Sequence, residues 1–307
     1  MLKPMPKIKQ RTKATKKKPS SKAVVKHADL PGVKVVLKNS LTIIRKYWKT
    51  FIIVMLVYSF LYILFVRGFS GGLNLNSLRA SLDHNKGTTS ISTGISLFAY
   101  LVGNSTTTQS SSVNANVYQT ILLIIVSLAL IWTLRQSYNN NKVRARDAFY
   151  KGMYPVIPFI IVLVVIGLEL IPLLLGASIY SAVTSNGLSV GGLQTTFWAL
   201  GFAGLSLISL YLITSSIFGL YIVTLPDMTP LKALRSARQL VKRRRWLVMR
   251  KMLFLPLVIV VAALIIMVPV VLLITVAASW IFFVFSLVCL VFIHSYLYAL
   301  YRELINE

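Results

Sequence analysis

LKALRSARQLVKRRRWLVMRK, residues Leu231–Lys251, carries nine Lys or Arg residues and no acid. Long apolar runs flank it on both sides. The stretch is therefore either a nucleic-acid-binding helix on a soluble core or a surface helix between two membrane spans. Whole-chain composition separates the two readings. Of 307 residues, 56% are hydrophobic and only 13% charged, whereas a soluble domain carries about a quarter charged. Yet 33 basic residues against seven acidic ones give a net charge of +26. Few charges, mostly positive and clustered, mark an all-α polytopic membrane protein whose cations face the cytoplasm.

Crossing a hydrocarbon core of about 30 Å takes roughly 20 apolar residues. Six runs meet or approach that length: about 50–66, 118–134, 155–183, 196–225, 252–277 and 279–299. Each is expected to be helical, because a bilayer offers no water to the backbone. The last two are expected to join through a short turn near Ala278 and Ser279. Basic residues fall in alternate connections. Met1 to Lys49 holds fifteen, the outer loop 67–117 three, Arg135 to Tyr154 five, Thr184 to Thr195 none, and the 231–251 stretch nine. Both termini are therefore expected in the cytoplasm, in a multi-pass cell-membrane protein of three transmembrane hairpins. The first run lies too far into the chain for a secretory leader and is read as a retained span.

The same wheel that orders the cations orders the apolar residues. Ala233, Leu234, Ala237, Leu240, Val241, Leu247 and Val248 fall on one arc, and Lys232, Arg235, Arg238, Lys242, Arg243, Arg245 and Arg250 on the other. Thr229-Pro230 supplies an N-cap and a first-turn proline. The expectation is an amphipathic helix over 230–250 lying in the headgroup layer, aliphatic side toward lipid. Nucleic-acid binding asks for the same cations but leaves the apolar arc without a purpose. A second such helix is expected over 33–49, with Lys34, Lys38, Arg45 and Lys46 outward and Trp48 at its end. Setting Lys34 on Lys232 brings Trp48 onto Trp246 without a gap, each indole just before a span. KVRARDAFYKGMYP, 142–155, holds the corresponding place before the third span with poorer amphipathicity.

The segment LPDMTPLKALRSARQLVKRRRWLVMRK resembles the cytoplasmic segment of the glycerophosphoryl diester phosphodiesterase membrane-domain family and related six-span bacterial integral membrane proteins. The similarity rests on Pro230, Ala233, Leu234, Ser236, Arg245 and Trp246. It implies an integral six-helix module over Pro31 to Glu307 and does not imply the phosphodiesterase chemistry, which belongs to a separate soluble barrel.

No paired carboxylates, HExxH, nucleophile elbow or phosphate-binding glycine loop occurs in the sequence. The single cysteine, Cys289, lies in an apolar run. A non-enzymatic protein without cofactor or metal is expected. Its leading role is engagement of anionic lipid headgroups, or of a membrane-protein partner or second copy, through Lys34, Lys38, Arg45, Lys46, Trp48, Lys232, Arg235, Arg238, Lys242, Arg243, Arg245 and Trp246. The alternative is a transporter or lipid-handling protein. Glu169 is the only acid in the middle of a span, and ionisable groups there commonly serve function. Pro172 and Gly167 beside it predict a kinked helix. His294 is the other polar candidate, but it lies nearer its span's cytoplasmic end and is expected to join Ser295, Tyr296 and Tyr298 in a polar packing contact. Ser206, Ser209, Ser215, Ser216 and Gly219 in the fourth run are read as close-packing positions.

Residues 1–29 form a Lys-rich tail without apolar periodicity, expected to be disordered and cytoplasmic. The remaining 30–307 constitute the membrane domain. The tail's charge also fits non-specific RNA or ribosome contact, although KPMPKIKQRTKATKKKPSSK holds no aromatic to stack on bases. In the outer loop, 91–103 is apolar but too short to span, and Asn104-Ser105-Thr106 matches a glycosylation acceptor that matters only in a eukaryotic secretory pathway.

Overall fold

Apolar runs of this length, with few charges to interrupt them, coil into helices long enough to cross a bilayer, and among the described residues six do so. The structure, a computed structural model, describes residues 32–67, 113–141, 143–185, 192–242, 244–273 and 275–305. The tail 1–29, nearly all of the outer loop 67–117 and Arg243 lie outside the described residues. In chain order the helices are α1 (Val33–Lys46), α2 (Trp48–Tyr62, closed by a π-helical turn Ile63–Arg67), α3 (Val113–Tyr138), α4 (Ala145–Gly152), α5 (Val156–Glu169) and α6 (Ile171–Ser185). They are followed by α7 (Gly192–Ser216), α8 (Gly219–Ile222), α9 (Pro230–Val241), α10 (Arg245–Leu273) and α11 (Thr275–Ile305). Among the described residues there is no strand.

Helices adjacent in the chain are adjacent in space. α2 lies against α3, α6 against α7, and α10 against α11. The centre of the bundle is built from Val126 and Leu128 to Ile131 of α3, Phe159 and Val162 of α5, Phe218 just before α8, Tyr221 within it, and Tyr296 to Tyr301 of α11. The outward faces are apolar too: Ile52, Leu56 and Phe60 of α2, Val164 and Leu168 of α5, and Ile265 of α10 are all exposed. A helix apolar on every side needs an apolar solvent as well as an apolar core.

Several element boundaries differ from the sequence reading. The helix expected over 33–49 ends at Lys46, and a new one begins at Trp48. The helix expected over 230–250 ends at Val241; Arg245 starts α10, which continues unbroken to Leu273. Lys242 to Arg245 place four cations in succession, and their mutual repulsion favours a break there over a further turn of helix. The run 155–183 is two helices meeting at Leu170. Pro172 lacks the N–H that would bond the Leu168 carbonyl, so it is accommodated in the first turn of a new helix. Ala278 and Ser279 lie inside α11 and make no turn.

Three short helices, α1, α4 and α9, each precede a span and gather at one end of the bundle. Lys46 Nζ donates to Asn140 Oδ1 at 2.9 Å, and Thr50 Oγ1 donates to the Val143 carbonyl at 3.2 Å. These bonds tie the α1–α2 junction to the connection leading into α4. α1 runs along α11, where Ser295 Oγ donates to the Ser40 carbonyl at 3.2 Å. α9 packs on α5, α7 and α8. Turns at this end pass through Asn140 (φ 56°) and Asp227 (φ 59°), left-handed positions that Asn and Asp tolerate better than most residues.

Candidate functional site

Helix α9 decides the character of this end. Its residues Ala233, Leu234, Ala237 and Val241 are buried, with Val248 following in α10. They are covered by protein: the Leu234 side chain lies over Gly219, where an added Cβ would come within 3.2 Å of Leu234 Cδ2 and 3.4 Å of Val162 Cγ1. The apolar arc expected to enter lipid is thus spent on docking to the bundle. Of that arc Leu240 is half-buried, and only Leu247, past the break, remains exposed.

The opposite face keeps its cations outward. Lys232, Arg235, Arg238 and Lys242 are exposed, and Arg245 is partly so. On α1, Lys34, Lys38, Arg45 and Lys46 are likewise exposed, while Val36 and Ser40 are buried. The two indoles flank this platform in the open, Trp48 at 53% and Trp246 at 75% exposure. Among the described members of the set, only Arg238 reaches a carboxylate.

That carboxylate is Glu169. It is the last residue of α5, and its side chain is 9% exposed. Arg238 Nη2 stands 3.5 Å from Glu169 Oε1, and Ser216 Oγ donates to the same oxygen at 2.6 Å. Ser209 Oγ donates to the Glu169 backbone carbonyl at 2.7 Å. Oε2 is buried without a hydrogen-bond partner among the described residues. Two serines that looked like packing positions in the sequence thus hold the acid, and a cation expected at the lipid surface pairs with it. The arrangement joins three broken places: the α5–α6 break at Leu170, the end of α7 at Ser216, and the last turn of α9.

His294 is placed elsewhere. Its Nε2 lies 3.1 Å from Ser127 Oγ of α3, and its Nδ1 lies 3.5 Å from the Tyr221 hydroxyl. Tyr221 in turn packs edge-on to Tyr298 and face-on to Tyr301. The Tyr296 hydroxyl donates to the Lys251 carbonyl at 2.9 Å. Glu169 and His294 therefore belong to separate clusters. Pro172 sits in the first turn of α6, three residues after Glu169.

Two further cations tie helices together. Arg135 Nη1, in the last turn of α3, donates to the Thr224 carbonyl at 2.8 Å, and its Nη2 donates to Thr224 Oγ1. Arg245 Nη1 donates to the Tyr211 hydroxyl at 2.6 Å, with its guanidinium 4.9 Å from the same ring. Lys251, near the start of α10, is buried. None of these pairings carries a local signal, since each joins helices distant in sequence. Among the described residues, no group of three His, Cys, Asp or Glu is placed to hold a metal ion. The arrangement can present fixed positive charge to an anion, and it holds one buried carboxylate at a helix break. No family model, no curated protein and no solved structure matches this chain.

Proposed function

We propose that this chain is a non-enzymatic integral membrane module that holds anionic phospholipid headgroups at its basic end. Its six spans form three hairpins in the cell membrane, and α1, α4 and α9 lie on the cytoplasmic side with both termini. The alternation of basic and non-basic connections supports that orientation. The observation that carries the function is the platform itself. Lys232, Arg235 and Lys242 stand exposed with no acid partner among the described residues, on or just after a helix whose other face is locked to the bundle. Fixed cations on a docked helix bind a phosphate without first ordering a loop, which would cost conformational entropy.

The test is lipid preference in mixed bilayers of phosphatidylglycerol and phosphatidylcholine. A cation near an anionic surface contributes about 1 kcal/mol, or about fivefold in preference. Replacing Lys232, Arg235 and Lys242 by Gln should therefore reduce phosphatidylglycerol enrichment around the protein stepwise. Full enrichment around the triple variant would remove the proposal. A polypeptide co-purifying in fixed ratio, lost in the same variant, would move the assignment to a protein partner.

A second reading has one specific observation in its favour. The Glu169 carboxylate is buried at a helix interruption, with Oε2 lacking a donor, and transporters place ion or substrate sites at such interruptions. Under this reading Glu169→Gln abolishes a proton flux in proteoliposomes while the fold persists. An unchanged flux, or none in the parent protein, would count against it.

A further inference from the structure

Helix α4 and the turn after it, Arg144 to Tyr154, sort their residues more cleanly than the poor amphipathicity expected for 142–155. Ala148 and Gly152, four residues apart, are buried against α3. The approach is close: a Cβ on Gly152 would lie 3.2 Å from both the Ala129 Cα and the Leu128 carbonyl oxygen. Phe149 packs against the core, half-buried, and the basic residues and tyrosines are left outside. Arg144, Arg146 and Lys151 are exposed, Tyr150 is 84% exposed and Tyr154 91%. Asp147 is the one acid of the segment, and it is half-buried.

We propose that this segment is a third headgroup-contact surface. Arg144, Arg146 and Lys151 meet the phosphates of an anionic phospholipid bilayer, and Tyr150 and Tyr154 sit in its interfacial layer. The inference rests on the lipid-binding reading above and extends it to residues outside the α1 and α9 set. Two observations select lipid over a protein partner. The first is continuity: beyond Tyr154 the exposed surface becomes Ile157, Ile161, Val164 and Leu168 along α5, with no polar rim between. A tyrosine at the border of a basic and an apolar surface has its ring in the hydrocarbon margin and its hydroxyl among headgroups. The second is linkage. The Lys46–Asn140 and Thr50–Val143 hydrogen bonds hold this segment beside the α1–α2 junction, where Trp48 is exposed. Both segments therefore meet the same layer.

The experiment uses the full chain, with Cys289→Ser, in nanodiscs of phosphatidylcholine alone or mixed with phosphatidylglycerol. A nitroxide is placed at Met153→Cys on this segment or at Leu231→Cys on α9, both exposed positions. Collision with a water-soluble nickel chelate reports shielding. The Met153 label should be more shielded in the anionic bilayer, and Arg144→Gln, Arg146→Gln and Lys151→Gln together should abolish that difference. The Leu231 label should keep its own response in the triple variant. Equal accessibility of the Met153 label in both bilayers, with the Leu231 label responding, would overturn the inference and leave the α9 platform standing. A response at Met153 with none at Leu231 would support the inference and sink the α9 reading. Because those three side chains point away from the bundle, a folded variant is expected. Gly152→Val, which pushes the segment off α3, should alter the Met153 signal without changing a single charge.

Discussion

Removing Arg238 should destabilise the protein more than removing the charge of its partner, and the structure sets the size of the difference. Glu169 is buried, and its carboxylate receives one short hydrogen bond, from Ser216 at 2.6 Å. Arg238 stands at 3.5 Å, beyond the 2.7–2.9 Å typical of charge-assisted hydrogen bonds, and is 54% exposed. Deleting one member of a fully buried pair costs about 3–5 kcal/mol, because the survivor is left charged and unsolvated. Here the guanidinium is half exposed, so the pair is discounted from the fully buried case, and about 2 kcal/mol is the appropriate scale for Arg238→Gln. Glu169→Gln behaves differently. The amide oxygen still accepts from Ser216, and the exposed guanidinium returns to polar surroundings, for about 0–1 kcal/mol.

The double variant follows from the same geometry. Once Glu169 is Gln, no buried charge remains to be stranded, so adding Arg238→Gln should cost close to nothing. Reversible unfolding in mixed dodecylmaltoside–dodecylsulfate micelles, followed by tryptophan fluorescence, measures all three variants against the parent. Equal losses for the two single variants would refute the reasoning. So would a larger loss for Glu169→Gln, or strict additivity in the double variant, since each would mean that Arg238 does not compensate a buried carboxylate.

Three other outcomes are expected in the same unfolding assay. Arg135→Met should cost about 1.5–3 kcal/mol, because two hydrogen bonds from a charged donor to Thr224 are lost and the turn before α9 is released. Gly219→Leu should cost about 1–3 kcal/mol by forcing α9 away from α5, and should speed tryptic cleavage within α9; Gly219→Ala should cost less, since the nearest atom is the end of the Leu234 side chain. Tyr211→Phe should cost about 1 kcal/mol for the hydrogen bond from Arg245, and less than Tyr211→Ala, because the ring under the guanidinium is kept.

The six spans were legible because their signal is local: length and apolarity decide whether a segment can cross a bilayer. The Thr229-Pro230 start of α9 was legible for the same reason, and Pro230 does occupy its first turn. The neighbours of Glu169 were not legible, although the acid does lie midway along its candidate span. With Pro172 beside it the run is interrupted at Leu170, and the acid is reached by a basic helix some 70 residues further along the chain. The destination of the apolar arc was misjudged for a different reason. Hydropathy does not distinguish a lipid neighbour from a protein neighbour, because both are apolar.

Side-chain size does distinguish them, and it was present in the sequence. Among the residues that α4 and α9 bury, beside Leu234 and Val241, are Ala148, Gly152, Ala233 and Ala237, set four apart so that one helix backbone approaches another. The residues left outside at the same end are Leu231, Trp246, Tyr150 and Tyr154. A helix lying in a headgroup layer gains from bulk on its apolar side, since its binding scales with apolar area. A helix docked on a bundle gains from small residues there, since they permit close packing. Alanine and glycine at spacing four on the inner arc, with aromatics displaced to its margins, therefore describe a helix that is held by protein and leaves its bulky apolar residues exposed at the edges. That arrangement keeps the cations of α9 fixed in place whether or not a headgroup is bound.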